Sequence, residues 1–147
     1  MYLVFVVPPL THGVPRAIQK PPKVYFFDTG DIDGDEGARF ENLVATHLLK
    51  WIHFLEDHEG DRYRLHYLRD KEGREVDFAV TKNRRLVALI EAKLTDAEPS
   101  RALRYYTERL KPALALQIVA DQKKAAHKSG IRIEGLSALE RNVLAPL

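Results

Sequence analysis

The chain has no cysteine among its 147 residues. That excludes disulfides and thiolate metal sites, and it suits a reducing compartment. No G-x-x-x-x-G-K-[ST] occurs, so the chain does not bind ATP through a P-loop. An excess of one charge is also missing, since the formal net charge is +2. A balance so close to zero gives no global pull on nucleic acid, so local patches must carry any such binding. The opening stretch, MYLVFVVPPL, is too short to span a bilayer. It has no basic n-region and no small-residue cleavage site, so it reads as a strand, not a signal peptide. No internal repeat or low-complexity segment interrupts the pattern. The expectation is one cytoplasmic globular domain with no membrane partner.

The composition is ordinary, 45% hydrophobic and 30% charged, with room for a real core. Residues 1–22 read as a first strand (residues 2–7) and a Pro-rich arm or linker. Residues 23–147 read as the main domain. KVYFF is a second short strand. DTGDIDGDEG is a turn whose acids cap the following helix. Residues 37–55 form an amphipathic helix, with Phe40, Val44, Leu48, Trp51 and Leu55 at helical spacing. Glu41 lies on its inward side; its ordinary role would be a rim carboxylate with its tip in water. EDHEGDR is a loop, and RYRLHYLR a strand. His47, His53 and His58 show no metal-ligand spacing. A helix opens at Pro99 and Ser100, runs to Lys111 and is stopped by Pro112. ALALQIVA is a buried strand. IRIE and the short helix SALERNVL end the chain.

The central stretch is REVDFAVTKNRRLVALIEAK. REVDFAVT alternates, with Val76, Phe78 and Val80 on one face and Glu75, Asp77 and Ala79 on the other. LVALIEAKL is apolar on both faces up to Glu91 and Lys93, as in a central strand. If Asp77 faces Glu91, Lys82 pairs with Leu86 and residues 83–85 make a three-residue loop. Two carboxylates held this close form a hard-oxygen site suited to Mg²⁺ or Mn²⁺. Lys93 beside them can orient a water or stabilise developing phosphorane charge.

The D-x13-E-x-K spacing resembles the signature of the PD-(D/E)xK, restriction-endonuclease-like, nuclease superfamily. KVYFFDTG, RFENLVATHLL, HYLRDKEGREVDF, IEAK and SRALRYYTERL together resemble the uncharacterised domain that ends many AAA+ ATPases. The resemblance implies an α/β fold with an αβββαβ core, a mixed sheet flanked by helices. It implies a Mg²⁺-dependent nuclease acting on DNA, linked to an ATPase partner or parent chain. Asp77 and Glu91 would hold the metal with the carbonyl of Ala92, and Glu41 would join as the helix carboxylate. Lys93 would position the water. Arg84 and Arg85 in the turn, and Arg101 and Arg104 on the later helix, are the candidate phosphate contacts.

Two alternatives stand beside that expectation. A nuclease-like fold can serve as a non-catalytic module that binds DNA or a protein, because fold does not fix function. Asp28-Thr29-Gly30 also matches the D-T-G of dimeric aspartic proteases, although an all-β chain should then follow and a long helix does instead. Asp31, Asp33 and Asp35 imitate the start of an EF-hand, but Glu36 replaces the required glycine and Asn42 the bidentate glutamate.

Overall fold

The computed structural model describes residues 3–96 and 98–141. β1 (Val4–Val7) and β2 (Lys23–Phe26) form a small antiparallel sheet. A 3-10 turn (Thr29–Asp31) leads to α1 (Glu36–Glu59), β3 (Tyr63–Arg69), β4 (Glu75–Lys82) and β5 (Arg85–Lys93). Then come α2 (Arg101–Leu110), β6 (Leu114–Val119), β7 (Ala126–Lys128), β8 (Ile131–Glu134) and α3 (Ser137–Glu140). The second sheet has six strands in the order β3-β4-β5-β6-β8-β7. β3, β4 and β5 run antiparallel, and β6 joins β5 in parallel after the α2 crossover. The fold is α/β, with a mixed sheet flanked by helices and the expected order of helix, three strands, helix, strand.

The helix ends follow from local chemistry. Asp35 Oδ1 accepts from the Ala38 N–H at 2.8 Å and starts α1. The helix runs a turn beyond residue 55 because nothing stops it before Gly60, which takes the left-handed conformation at φ 76°. Ser100 Oγ accepts from the Leu103 N–H and starts α2; Lys111 closes it in the left-handed region, just before Pro112. The last helix ends at Glu140, sooner than expected, because Arg141 leaves it in the extended conformation; residues 142–144 of the expected helix, like Tyr2 of the first strand, lie outside the described residues.

Two apolar layers sandwich the sheet. On one face α1 brings Phe40, Val44, Leu48 and Leu55 against Phe78, Val80, Ile90, Leu116 and Ile118, with α3 adding Ala138 and Leu139. On the other, Leu103 and Tyr106 of α2 pack on Val76, Ala79, Leu89 and Ala115. Val76 is therefore not on the face of Phe78, against the alternation read from the sequence. The cause is a bulge: Asp77 and Phe78 stand together opposite Tyr67, because the β3–β4 pairing slips between His66↔Ala79 and Leu68↔Val76.

A second bulge corrects the hairpin. The β4–β5 loop has two residues, not three: Lys82 pairs with Arg85, and Asn83 and Arg84 take φ values of 49° and 69°. Val87 then enters β5 as an extra residue between the Val80↔Ala88 and Thr81↔Leu86 pairs. Beyond it the register is the expected one, with Phe78 opposite Ile90.

The arm lies along the outer edge of β3. The Leu10 N–H donates to Tyr67 O, the Tyr67 N–H to Pro8 O, and the Ile18 N–H to Arg69 O. Leu10 and Val14 are buried in the α2-side layer. The arm thus occupies edge groups that would otherwise be open to another chain. At the far edge, β7 was missed from the sequence; Ser129 and Gly130 turn it onto β8 at φ 52° and 75°.

Candidate functional site

The site forms where β4 and β5 separate. Their ladder ends at Phe78↔Ile90, one step before Asp77 and Glu91 would pair. Side chains take over from the backbone there. Asp77 Oδ2 accepts from the Ala92 N–H at 2.9 Å, and Glu91 Oε2 accepts from the Asp77 N–H at 3.4 Å. Lys93 Nζ stands 3.3 Å from Glu91 Oε1. The sheet therefore brings Asp77, Glu91 and Lys93 together, as expected.

Glu41 reaches the same place from α1, and β2 fixes it. Asn42 clamps β2 like an adjoining strand, its Oδ1 accepting from the Phe26 N–H and its Nδ2 donating to Phe26 O, both at 2.8 Å. This sets Tyr25 and Lys23 beside Glu41. Tyr25 donates its hydroxyl to Glu41 Oε1 at 2.6 Å, and Lys23 Nζ lies 3.5 Å from the same oxygen. Lys23 also pairs with Glu75, two residues before Asp77. A cleft of about 330 Å³ is lined by Glu41, Asp77, Ala92, Lys93 and Asp96, with Phe40 and Gly37 on its helical wall.

The loop after Lys93 is held by Gln117, which is fully buried in β6 beside Glu91. Its Nε2 donates to Asp96 O and Glu98 O at 2.8 Å, and its Oε1 accepts from the Ser100 N–H at 3.0 Å.

The electrostatics show an excess of acid. Burial, then the Glu91 charge and then Glu41, push the Asp77 carboxyl up to about 8. Burial also raises Glu91, opposed by Lys93. Burial works against the Lys93 ammonium, but the Glu91 charge outweighs it and Lys93 stays protonated. Tyr25 is raised by burial and then by Glu41, so it keeps the proton it donates.

The donor set suits a hard cation. Among the described residues nothing bonds Asp77 Oδ1 or Glu41 Oε2. In a strand a residue's N–H and C=O point to the same side, so the Ala92 carbonyl shares the edge from which its N–H meets Asp77. Mg²⁺ is commonly held by one or two carboxylates and keeps several waters. Among the described residues no group of three or more Asp, Glu, His or Cys side chains stands at metal-holding spacing.

The predicted arginines are spread out. Arg84 and Arg85 mark the turn end of β5, and Lys93 its other end, eight steps away or about 26 Å. Arg101 and Arg104 are exposed on the first turn of α2, which opens just after the loop that follows Lys93. Asp28 serves as a turn cap, its Oδ1 accepting from the Gly30 N–H at 2.9 Å.

Sequence reasoning missed Lys23, Tyr25, Glu75 and Gln117. Lys23 and Tyr25 share a face of a strand that Asn42 clamps to α1, and Asn42 on the inner side of α1 was one available signal. Gln117 in the otherwise apolar run ALALQIVA was the other, since a buried amide must find partners.

The fold and this carboxylate–lysine centre define a mixed α/β domain with an acid cluster at the open end of its central strands. The chain belongs to the family described as a domain of unknown function (DUF4143), whose model matches residues 36–138. That domain is often found at the C-terminus of AAA ATPase-like proteins. No curated protein and no solved structure is significantly similar to the chain. No described helix is long and apolar enough to cross a membrane.

Proposed function

We propose that this domain hydrolyses phosphodiester bonds of DNA with Mg²⁺ or Mn²⁺. The observation that carries the proposal is the junction of Asp77, Glu91 and Lys93 at the point where β4 and β5 part. Two buried carboxylates in each other's field are costly unless a cation offsets them, and Lys93 offsets only one. Asp77, Glu91 and the Ala92 carbonyl would hold the metal. Bound there, it would supply positive charge to the phosphoryl oxygens. Glu41, fixed by Tyr25 and Lys23, would take part in its water shell. Lys93, charged and 39% exposed, reaches the cleft and would orient the attacking water and meet the charge that grows in the transition state.

The test is nicking of supercoiled DNA by purified protein with millimolar Mg²⁺ or Mn²⁺. Cleavage that EDTA stops and Asp77→Ala removes supports the proposal. Absence of cleavage and of metal binding in the wild type refutes it.

One observation favours a second reading. Both Glu91 oxygens are engaged, and no group of three ligand side chains is pre-assembled among the described residues. A domain that keeps the fold and binds DNA or an ATPase partner without cutting would look like this. DNA binding that persists with no metal uptake would select it.

A further inference from the structure

A second cleft, of about 430 Å³, lies on the α2 side and is lined by Pro15, Arg16, Tyr105, Tyr106, Arg109 and Leu110. Its own cations are Arg16 and Arg109, and a third guanidinium, that of Arg74, stands next to the lining on the Tyr105 ring. The guanidiniums of Arg74 and Arg109 lie 4.0 Å and 4.5 Å from the centre of one ring, that of Tyr105. Behind them Asp70 fixes Arg74 through its Nε at 2.7 Å, and the Tyr106 hydroxyl donates to the same carboxylate. Arg109 has no carboxylate partner among the described residues and rests on the Tyr105 ring. Arg16 meets Glu72 at 2.6 Å, but both are well exposed, so a competing anion displaces Glu72 at little cost.

Three guanidiniums, from Arg16, Arg74 and Arg109, thus face two acids, Asp70 and Glu72. Two of those guanidiniums are already ordered by an aromatic ring. An arriving anion relieves their mutual repulsion and pays little rotamer entropy. Guanidinium forks match phosphate oxygens two by two.

We infer that this cleft binds a phosphate group of a nucleic-acid strand. The inference rests on the phosphodiesterase reading and extends it. Arg74 ends the turn that enters β4, three residues before Asp77, so the cleft lies at the same end of the sheet as the acid centre. A strand lying across that end meets the guanidiniums on the α2 side while a neighbouring phosphate reaches the acids. A carboxylate-rich peptide also suits arginine, but the forks of Arg16 and Arg109 match the tetrahedral oxygens of a phosphate, and poly-glutamate serves as the competing probe. None of these three arginines was a candidate from the sequence, because Arg16 is far from Arg109 along the chain and the arm brings it in.

The test is fluorescence anisotropy with a short labelled single-stranded oligonucleotide, in EDTA so that nothing is cut. Arg16→Ala/Arg109→Ala should weaken binding about tenfold or more and flatten the salt dependence by about one phosphate contact, with a slope change near 0.7 per contact. Both side chains are exposed; unchanged circular dichroism confirms the fold, and Arg16→Ala alone serves if the pair misfolds. Tyr105→Leu keeps every charge and removes the ring, so it should weaken binding by a smaller factor. Inorganic phosphate and a mononucleotide should compete only weakly, which marks a strand and not a free nucleotide as the ligand. Wild-type-like binding by the double variant overturns the inference. So does failure of the wild type to bind the strand, or cleft-dependent binding of poly-glutamate tighter than the strand. The two proposals fail separately. Cleft-dependent binding without metal-dependent cleavage refutes the nuclease reading alone; cleavage with binding indifferent to Arg16 and Arg109 refutes the cleft alone.

Discussion

Asp70 and Asp77 lie seven positions apart in the sequence, one before β4 and one within it. Asp70 is buried and Asp77 half-buried, and they are treated in opposite ways. Asp70 is saturated: it accepts from the N–H groups of Glu72 and Arg74 at 3.0 Å, from Arg74 Nε at 2.7 Å and from the Tyr106 hydroxyl at 2.5 Å. Burial raises its pKa, yet the Tyr106 bond and the Arg74 bonds win and hold it below the usual carboxylate range. Asp77 has one good donor, the Ala92 N–H, and faces Glu91 and Glu41. Its pKa moves the other way. The first acid has been given everything a buried anion needs, and it holds the chain together. The second has been left short of positive charge, and the proposed metal ion would supply it.

Substitutions should separate the two most sharply in activity. Asp77→Asn should abolish metal-dependent cleavage and divalent metal binding. Lys93→Ala should keep most of the metal binding and still slow cleavage by about 10² or more, since a lost transition-state charge contact costs several kcal/mol. Plasmid nicking beside calorimetric Mn²⁺ titration reads both. If Lys93→Ala cuts at the wild-type rate, Lys93 is merely the partner of Glu91.

Stability should split them next. Asp70→Asn leaves the Arg74 guanidinium only Glu72 and the Tyr105 ring and weakens four hydrogen bonds, and should cost on the order of 2 kcal/mol in urea melts. Asp77→Asn should cost nothing, or stabilise, at pH 8. A loss at Asp77 as large as that at Asp70 would mean that both acids are structural.

The pH dependence has opposite signs. The Asp70 pKa is lower folded than unfolded, so its stabilisation is present above the unfolded value near 3.8 and is lost as pH falls. The Asp77 pKa is raised to about 8, so the folded state binds the extra proton between about 4 and 8 and stability falls as pH rises through that window. Glu91, also raised by burial, adds to the same fall. Urea midpoints measured across that window should decline in the wild type and decline less in Asp77→Asn. Mg²⁺ should flatten the wild-type curve. A wild-type midpoint that climbs through the window would show the acids to be well compensated.

The sequence exposed the part of this contrast that rests on local pattern. Periodicity, caps and the apolar run before Glu91 located α1, β3 to β6 and α2. The register that brings Asp77 and Glu91 together was right for a reason that the pattern hid, although the ladder itself ends one step earlier, at Phe78 and Ile90. A two-residue turn alone would have put the register out by one, and Val87 restores it. The bulge at Asp77 and Phe78 was equally hidden, because a bulge is set by the neighbouring strand and not by the residues that form it. What stayed illegible was long-range: β2 on α1, the arm on β3, and the donors that each acid receives. Nothing local marks Asp70 as a buried anion, because its partner Tyr106 lies 36 residues on.

The finest contrast is between two tyrosines. Tyr106 donates to Asp70 at 2.5 Å, and Tyr25 donates to Glu41 at 2.6 Å. Tyr106→Phe takes one donor from a carboxylate that keeps three others, so it should cost about 1 kcal/mol of stability and leave the Mg²⁺ requirement of cleavage unchanged. Tyr25→Phe takes the short bond from Glu41 and leaves it Lys23 at 3.5 Å, which Glu75 shares. Glu41 then loses its fixed position at the cleft, while the ring still packs on Phe5 and Phe78. Stability should move by less than about 1 kcal/mol. Cleavage should fall by only a few-fold, and the Mg²⁺ concentration needed for half the maximal rate should rise by a similar factor. That shift in metal requirement is what a purely structural tyrosine would not produce. If Tyr25→Phe leaves it unchanged while Glu41→Gln raises it, Glu41 holds its place without Tyr25 and the role of β2 in the centre falls away.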